Sequence, residues 1–134
     1  MRSQVRLLAI FVLITAAVWS CGPKENPVVD NRDQFVGTWS CHDNTAGNPT
    51  YNVVISKSAT DDINIFVDNF ANLGSGVKAV VKVNSATSFT IASQSISGET
   101  VAGSGAFASS KITFNYTEND GVSNITVAAT LTKI

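Results

Sequence analysis

The chain has 134 residues, with 9 Lys+Arg, 10 Asp+Glu, one His and two Cys. Residues 1–20 read as a removable export signal, and what remains is enough for one domain with one small core. Removing Arg2 and Arg6 from the 9 basic residues leaves 7 against 10 acidic ones, which excludes a nucleic-acid surface, and one His with two Cys cannot build a four-ligand Cys/His zinc site.

Arg2 and Arg6 form a positive start, and Leu7 to Val18 is an apolar run broken only by Thr15. That length suits the hydrophobic region of a signal peptide and is short for crossing a bilayer. Next stands Val18-Trp19-Ser20-Cys21-Gly22. It resembles the lipobox of bacterial lipoproteins, with an aliphatic residue three places before the Cys, a small residue directly before it, and the Cys as the lipidated N-terminus. A thiol is nucleophilic enough to take a thioether-linked lipid at moderate pH. The resemblance implies that Cys21 carries acyl chains such as palmitate. At roughly 0.8 kcal/mol per buried CH₂, two chains anchor a protein durably. The implied place is the bacterial cell envelope, as an outer-membrane lipoprotein facing the periplasm or the surface.

Gly22 to Asp33 contains Pro23 and Pro27, alternating charge and no apolar period, the texture of a flexible tether. Within it Lys24-Glu25 loosely resembles the short charged tags that send lipoproteins of the Bacteroidota to the cell surface. A plain solvated spacer accounts for it equally. The division expected is therefore signal peptide 1–20, lipidated Cys and tether 21–33, and folded domain 34–134.

From Gln34 onward the pattern changes to period-two alternation broken by Gly, Asn, Asp and Ser, with no helical spacing, so the domain is expected to be all-β. Strands are expected over Phe35–Cys41, Tyr51–Lys57, Ile63–Asp68, Val77–Val83, Ser88–Ile91, Thr100–Ala108, Lys111–Tyr116 and Ser123–Lys133, with Gln94–Ser97 unassigned. Alternation places Tyr51, Val53 and Ile55 on one face, and likewise Ile63, Ile65 and Val67, then Val77, Ala79, Val81 and Val83. The same count groups Val101, Gly103, Gly105 and Phe107, then Ile112, Phe114 and Tyr116, then Ile125, Val127, Ala129 and Leu131. Short breaks such as Ala108-Ser109-Ser110 and Asp120-Gly121 favour a meander. Eight strands in sequence order close most simply as an up-and-down barrel, with a two-sheet sandwich as the alternative.

Phe35-Val36-Gly37-Thr38-Trp39 resembles the Gly-x-Trp opening of the lipocalin and calycin group. The resemblance implies an eight-stranded barrel in which Trp39 plugs one end, Gly37 lets the backbone bend there, and a late basic residue, Lys133, covers the ring. Beyond that motif, the lipobox, charged spacer and Ser/Thr-rich strands resemble a group of small Bacteroidota lipoproteins. The domain is shorter than full lipocalins and ends on a strand.

Candidate chemistry is sparse. His42-Asp43 can serve as a base or metal ligand, or simply be a loop pair, and no second His exists. Asp61-Asp62 with Asp68 can offer oxygen ligands to calcium or form a turn. Cys41 has no intramolecular partner once Cys21 carries lipid, and reads as a small buried hydrophobe. Gly103-Ser104-Gly105 lacks the rest of a nucleotide loop. No enzyme, cofactor or metal is expected. Two functions remain for a monomer tethered to a membrane. In the first, Ala79, Phe89, Gly103, Gly105, Phe107, Phe114 and Ala129 line an internal cavity for a small apolar ligand. In the second, a filled barrel meets another envelope component through its exterior, with Phe70 and Leu73 as exposed apolar contacts.

Overall fold

Strands of alternating apolar and polar residues bury one face each, and eight of them in this chain bury those faces against one another. The computed structural model describes residues 27–134, so the expected signal peptide over 1–20, the expected lipid site Cys21 and Lys24-Glu25 lie outside the described residues. The strands are β1 (Gly37–Asp43), β2 (Thr50–Lys57), β3 (Asn64–Asp68), β4 (Lys78–Ser85), β5 (Ser88–Ile96), β6 (Glu99–Ala108), β7 (Lys111–Asn119) and β8 (Asn124–Lys133). Every strand pairs antiparallel with its sequence neighbour, and β8 returns to β1 to close the barrel. The closing register sets Trp39 opposite Lys133, Cys41 opposite Leu131 and Asp43 opposite Ala129. This is the up-and-down barrel expected, and the sandwich is excluded.

Tight turns hold the meander. Ser97 and Gly98, with φ of 53° and 93°, join β5 to β6, and Ser109 and Ser110, with φ of 50° and 62°, join β6 to β7. Two positive φ values in succession match the twist of the flanking strands. Strand β5 runs on to Ile96 through a break in register between Ile91 and Gln94. There the Gln94 amide pairs with the backbone of β4, accepting from the Val80 N–H at 2.9 Å and donating to the Val80 carbonyl at 2.7 Å. A side chain thus replaces a missing rung of the ladder, which explains why Gln94 joins a strand whose alternation fails.

Three expectations are corrected. Strand β1 starts at Gly37, because Phe35 closes a turn by donating its N–H to the Arg32 carbonyl at 3.0 Å. Ile63 and Val77 sit just before β3 and β4, so Ile63 is half exposed. Ile125 in β8 is also half exposed, since it lies beyond the end of the packed interior.

Strand direction sorts the connections onto two ends. One end carries residues 27–36, the β2–β3 and β6–β7 connections and the C-terminus. The other carries the β1–β2 loop, a 3₁₀ turn at Phe70–Asn72 between β3 and β4, and the β7–β8 turn. We call these the plug end and the open end.

Candidate functional site

Trp39 faces inward at the start of β1 and is fully buried. Its indole N–H donates to the Phe35 carbonyl at 2.7 Å, and the Lys133 Nζ stands 5.3 Å from the ring centroid. Gly37 has φ of 134°, and a Cβ there would sit 3.1 Å from the Lys133 Cε, so glycine is what lets the lysine lie over the ring. The structure therefore brings Gly37, Trp39 and Lys133 together at one end of the barrel.

Residues 30–33, expected to be part of a flexible tether, instead strap this end. Arg32 is buried, donating from Nε and Nη2 to both oxygens of Asp30 and from Nη1 to the carbonyls of Ser58 and Asp61. Lys57 adds ion pairs to Asp30 at 2.8 Å and to Asp33. The hydrogen bonds from Arg32 and then Lys57 hold the Asp30 carboxyl far below the usual carboxylate range. Asp61 accepts from the Ser58 hydroxyl at 2.6 Å and the backbone N–H groups of Ile63 and Asn64, which lowers its pKa to about 2. Charge alternation and two prolines look the same in sequence whether the charges are solvated or paired. The Asp-x-Arg spacing is the one local hint, and its partners lie over twenty residues away.

Between the ends runs a column of aromatic rings. Trp39 meets Phe107, which meets Phe35, with ring centroids 6.4 and 6.0 Å apart, and Phe35 meets Phe89 at 5.6 Å. Phe89 packs on Phe114 at 4.6 Å, Phe114 on Phe70 at 6.5 Å, and Phe70 on Tyr116 at 4.8 Å. Edge-to-face and tilted pairs of this kind are favourable beyond the area they bury.

The column corrects the expected ligand cavity. Phe89, Phe107 and Phe114 do not line a space but fill it. A Cβ on Gly105 would run into the Phe89 ring and the Thr113 carbonyl, so this glycine accommodates an aromatic ring of the protein itself. Gly103 lies equally close to the backbone of β7 at Asn115 and Tyr116. Ala79 is fully buried, and Phe114 and Ala129 border the small apolar cavity beneath Phe70, which offers about 10 Å³. That is space for one water at most, against roughly 300 Å³ or more for an organic ligand. Phe70, expected to be exposed, is a buried lid on this cavity, while Leu73 remains partly exposed.

The open end gathers polar groups. Asp43 is buried and its Oδ1 accepts from the Thr45 backbone N–H at 2.9 Å and from the Thr45 hydroxyl. Burial pushes the Cys41 thiol up to about 11 and raises the Tyr51 and Tyr116 hydroxyls well above the normal tyrosine range. Burial, then the charges of Glu99 and Asp43, raise the Glu118 carboxyl. Asp43, Tyr116 and Glu118 border an open cleft of about 500 Å³ whose walls include Pro49, Ala71 and Ile125. Tyr51, Tyr116 and Glu118 carry no site signal in the sequence, because only barrel closure, with β8 pairing both β7 and β1, brings the ends of β1, β2 and β7 to one rim.

The remaining candidates stay apart. His42 is exposed and its Nδ1 lies 3.1 Å from the Thr50 hydroxyl. Asp62 is fully exposed and forms a rim ion pair with Arg32, whereas Asp68, at the other end of β3, pairs with Lys78 at 3.7 Å. The Asp61-Asp62 turn and Asp68 therefore share no ligand set.

No family model and no curated protein matches this chain. Among solved structures, a redesigned β-barrel is similar, with a TM-score of 0.54 and 14% identity, over 81% of this chain and 99% of that one. At this identity the likeness concerns the closed barrel alone. An eight-stranded antiparallel barrel of this kind is compatible with a lipocalin-like fold.

Proposed function

We propose that this protein is an envelope lipoprotein whose filled barrel acts as a non-catalytic interaction module, meeting its partner through its exterior rather than enclosing a ligand. The observation that carries the reading is the aromatic column from Trp39 to Tyr116, which leaves about 10 Å³ where the expected apolar ligand needed an order of magnitude more. The tether supports the same reading: a chain held at Cys21 works where a membrane-fixed partner waits, and two acyl chains make that attachment durable.

The test has two arms. The delipidated domain, purified from its host and examined by native mass spectrometry and by titration with the apolar dye N-phenyl-1-naphthylamine, should carry no small molecule and take up no dye. A retained apolar compound at one per chain would restore the ligand-binding function. Replacing Cys21 by Ser should release the protein from membranes, and unchanged retention would reject the lipoprotein reading.

A further inference from the structure

The barrel's charge divides unevenly between its ends. Among the described residues, Asp43, Asp68, Glu99, Glu118 and Asp120 at the open end face Lys78 alone of the Lys and Arg side chains, a balance of five acids to one base. At the plug end four bases, Arg32, Lys57, Lys111 and Lys133, balance four acids, Asp30, Asp33, Asp61 and Asp62, and Lys82 stands on the wall between the two ends, opposite Asn64 and Thr90. The neutral end also carries exposed apolar side chains, Val28 at 96%, Val29 at 74%, Ile134 at 70% and Ile63 at 50% exposure. Val28, Val29 and Ile63 border a shallow groove of about 460 Å³ together with Val83.

The described chain enters at this same end, where the strap of residues 30–33 is pinned by Arg32 and Lys57. Cys21 lies six residues before Pro27. Six residues reach at most about 20 Å when extended, less than a small domain's diameter, so an anchor at Cys21 keeps the plug end close to its membrane.

We propose that the plug end rests on the lipid surface, with Val28, Val29, Ile63 and Ile134 in the headgroup layer and the acidic open-end cleft directed away from it. The proposal rests on the tethered reading above and adds an orientation to it. Burial of exposed apolar groups favours contact, and an anionic lipid surface repels the open end while leaving the neutral end unopposed. Exposed apolar residues at the open end, Leu73, Val122 and Ile125, are embedded among its unbalanced carboxylates and gain no such contact.

The experiment uses the lipidated full-length protein in vesicles of phosphatidylcholine with phosphatidylglycerol, some lipids bearing a doxyl quencher. A thiol-reactive fluorophore is placed through Ile63→Cys in one sample and Val122→Cys in another, both residues being exposed. Cys41, buried and with its thiol raised to about 11, does not compete at neutral pH. Flotation of the vesicles reads the anchor and quenching reads the orientation. The expected result is flotation of both proteins, strong quenching at residue 63 and none at residue 122. Adding Val28→Asp and Val29→Asp should leave flotation intact and abolish the quenching at residue 63. Protein that fails to float sinks the tether and the proposal with it. Protein that floats with equal quenching at both positions, or more at residue 122, overturns the orientation and leaves the tether standing.

Discussion

The two ends of the barrel are closed by different chemistry. At the plug end, a fully buried indole lies under a lysine, and a strap of residues satisfies its own charges in Asp30–Arg32–Lys57 ion pairs. At the open end, Phe70 covers the interior from a 3₁₀ turn, set between Asn69 and Ala71, both with positive φ, and the carboxylates of Asp43 and Glu118 gather with no Lys or Arg paired to them among the described residues. One end is a finished seal. The other keeps strain and unbalanced charge at its rim, the features that persist where a surface serves something besides stability.

The largest test of this contrast removes each closing ring. Trp39→Ala should cost roughly 3 to 5 kcal/mol, the usual loss on emptying a large aromatic site. Phe70→Ala should cost less, toward about 3 kcal/mol, because a turn that already carries positive φ can settle onto the cavity beneath it. Denaturant unfolding of both variants decides the matter, and a Phe70 loss equal to or above that of Trp39 would erase the asymmetry.

Next in size, Gly105→Ala should destabilise by roughly 1 to 3 kcal/mol, since the new methyl meets the Phe89 ring and the Thr113 carbonyl. The same change in a barrel with internal space would be nearly neutral. Thermal unfolding followed by circular dichroism separates the two outcomes.

Lys133→Met should cost about 0.5 to 1 kcal/mol, keeping the aliphatic cover on Trp39 while removing the cation above it. Because the cation faces the π-face of a fully buried ring and not a second exposed charge, the loss should change little between low and high salt. A strongly salt-dependent loss would assign Lys133 to an ion pair instead.

The smallest effect concerns pH and has opposite signs at the two ends. Asp61 is lowered to about 2, so its contribution is present above the unfolded carboxylate range and is lost as pH falls through about 2. Glu118 is raised by burial and by Glu99 and Asp43, so its contribution is present at low pH and is lost as pH rises through its raised pKa. Glu118→Gln should therefore stabilise the domain at pH 7 and leave it unchanged near pH 3, while Asp61→Asn should destabilise at pH 7. Melting temperatures across that range check both signs, and a destabilising Glu118→Gln at pH 7 would mean that the open-end carboxylate has a partner cation.

Much of the architecture was legible because it depends on neighbours in sequence. Alternation in Ala79, Val81 and Val83 or in Ile112, Phe114 and Tyr116 reports a buried face directly, and short connections restrict each strand to its neighbour. The Gly37–Trp39 pair and Lys133 were nameable because their roles follow from a short motif and a chain end. Phe70 was misjudged because loop position suggests exposure, and only the ring of Tyr116 above the cavity makes it a lid. Gly103 and Gly105 were misjudged for a similar reason: a glycine facing inward reads as free volume until the residue that fills it is known.

The sequence by itself determined the all-β class, the eight strands and the face each one turns inward, since these rest on period-two patterning and local turn chemistry. Only the tertiary structure decided whether the barrel is hollow, where Asp30 and Arg32 spend their charges, and which carboxylates share a rim. Those depend on side-chain volumes and charges from strands far apart in the chain, summed in one interior, and no local pattern carries that sum.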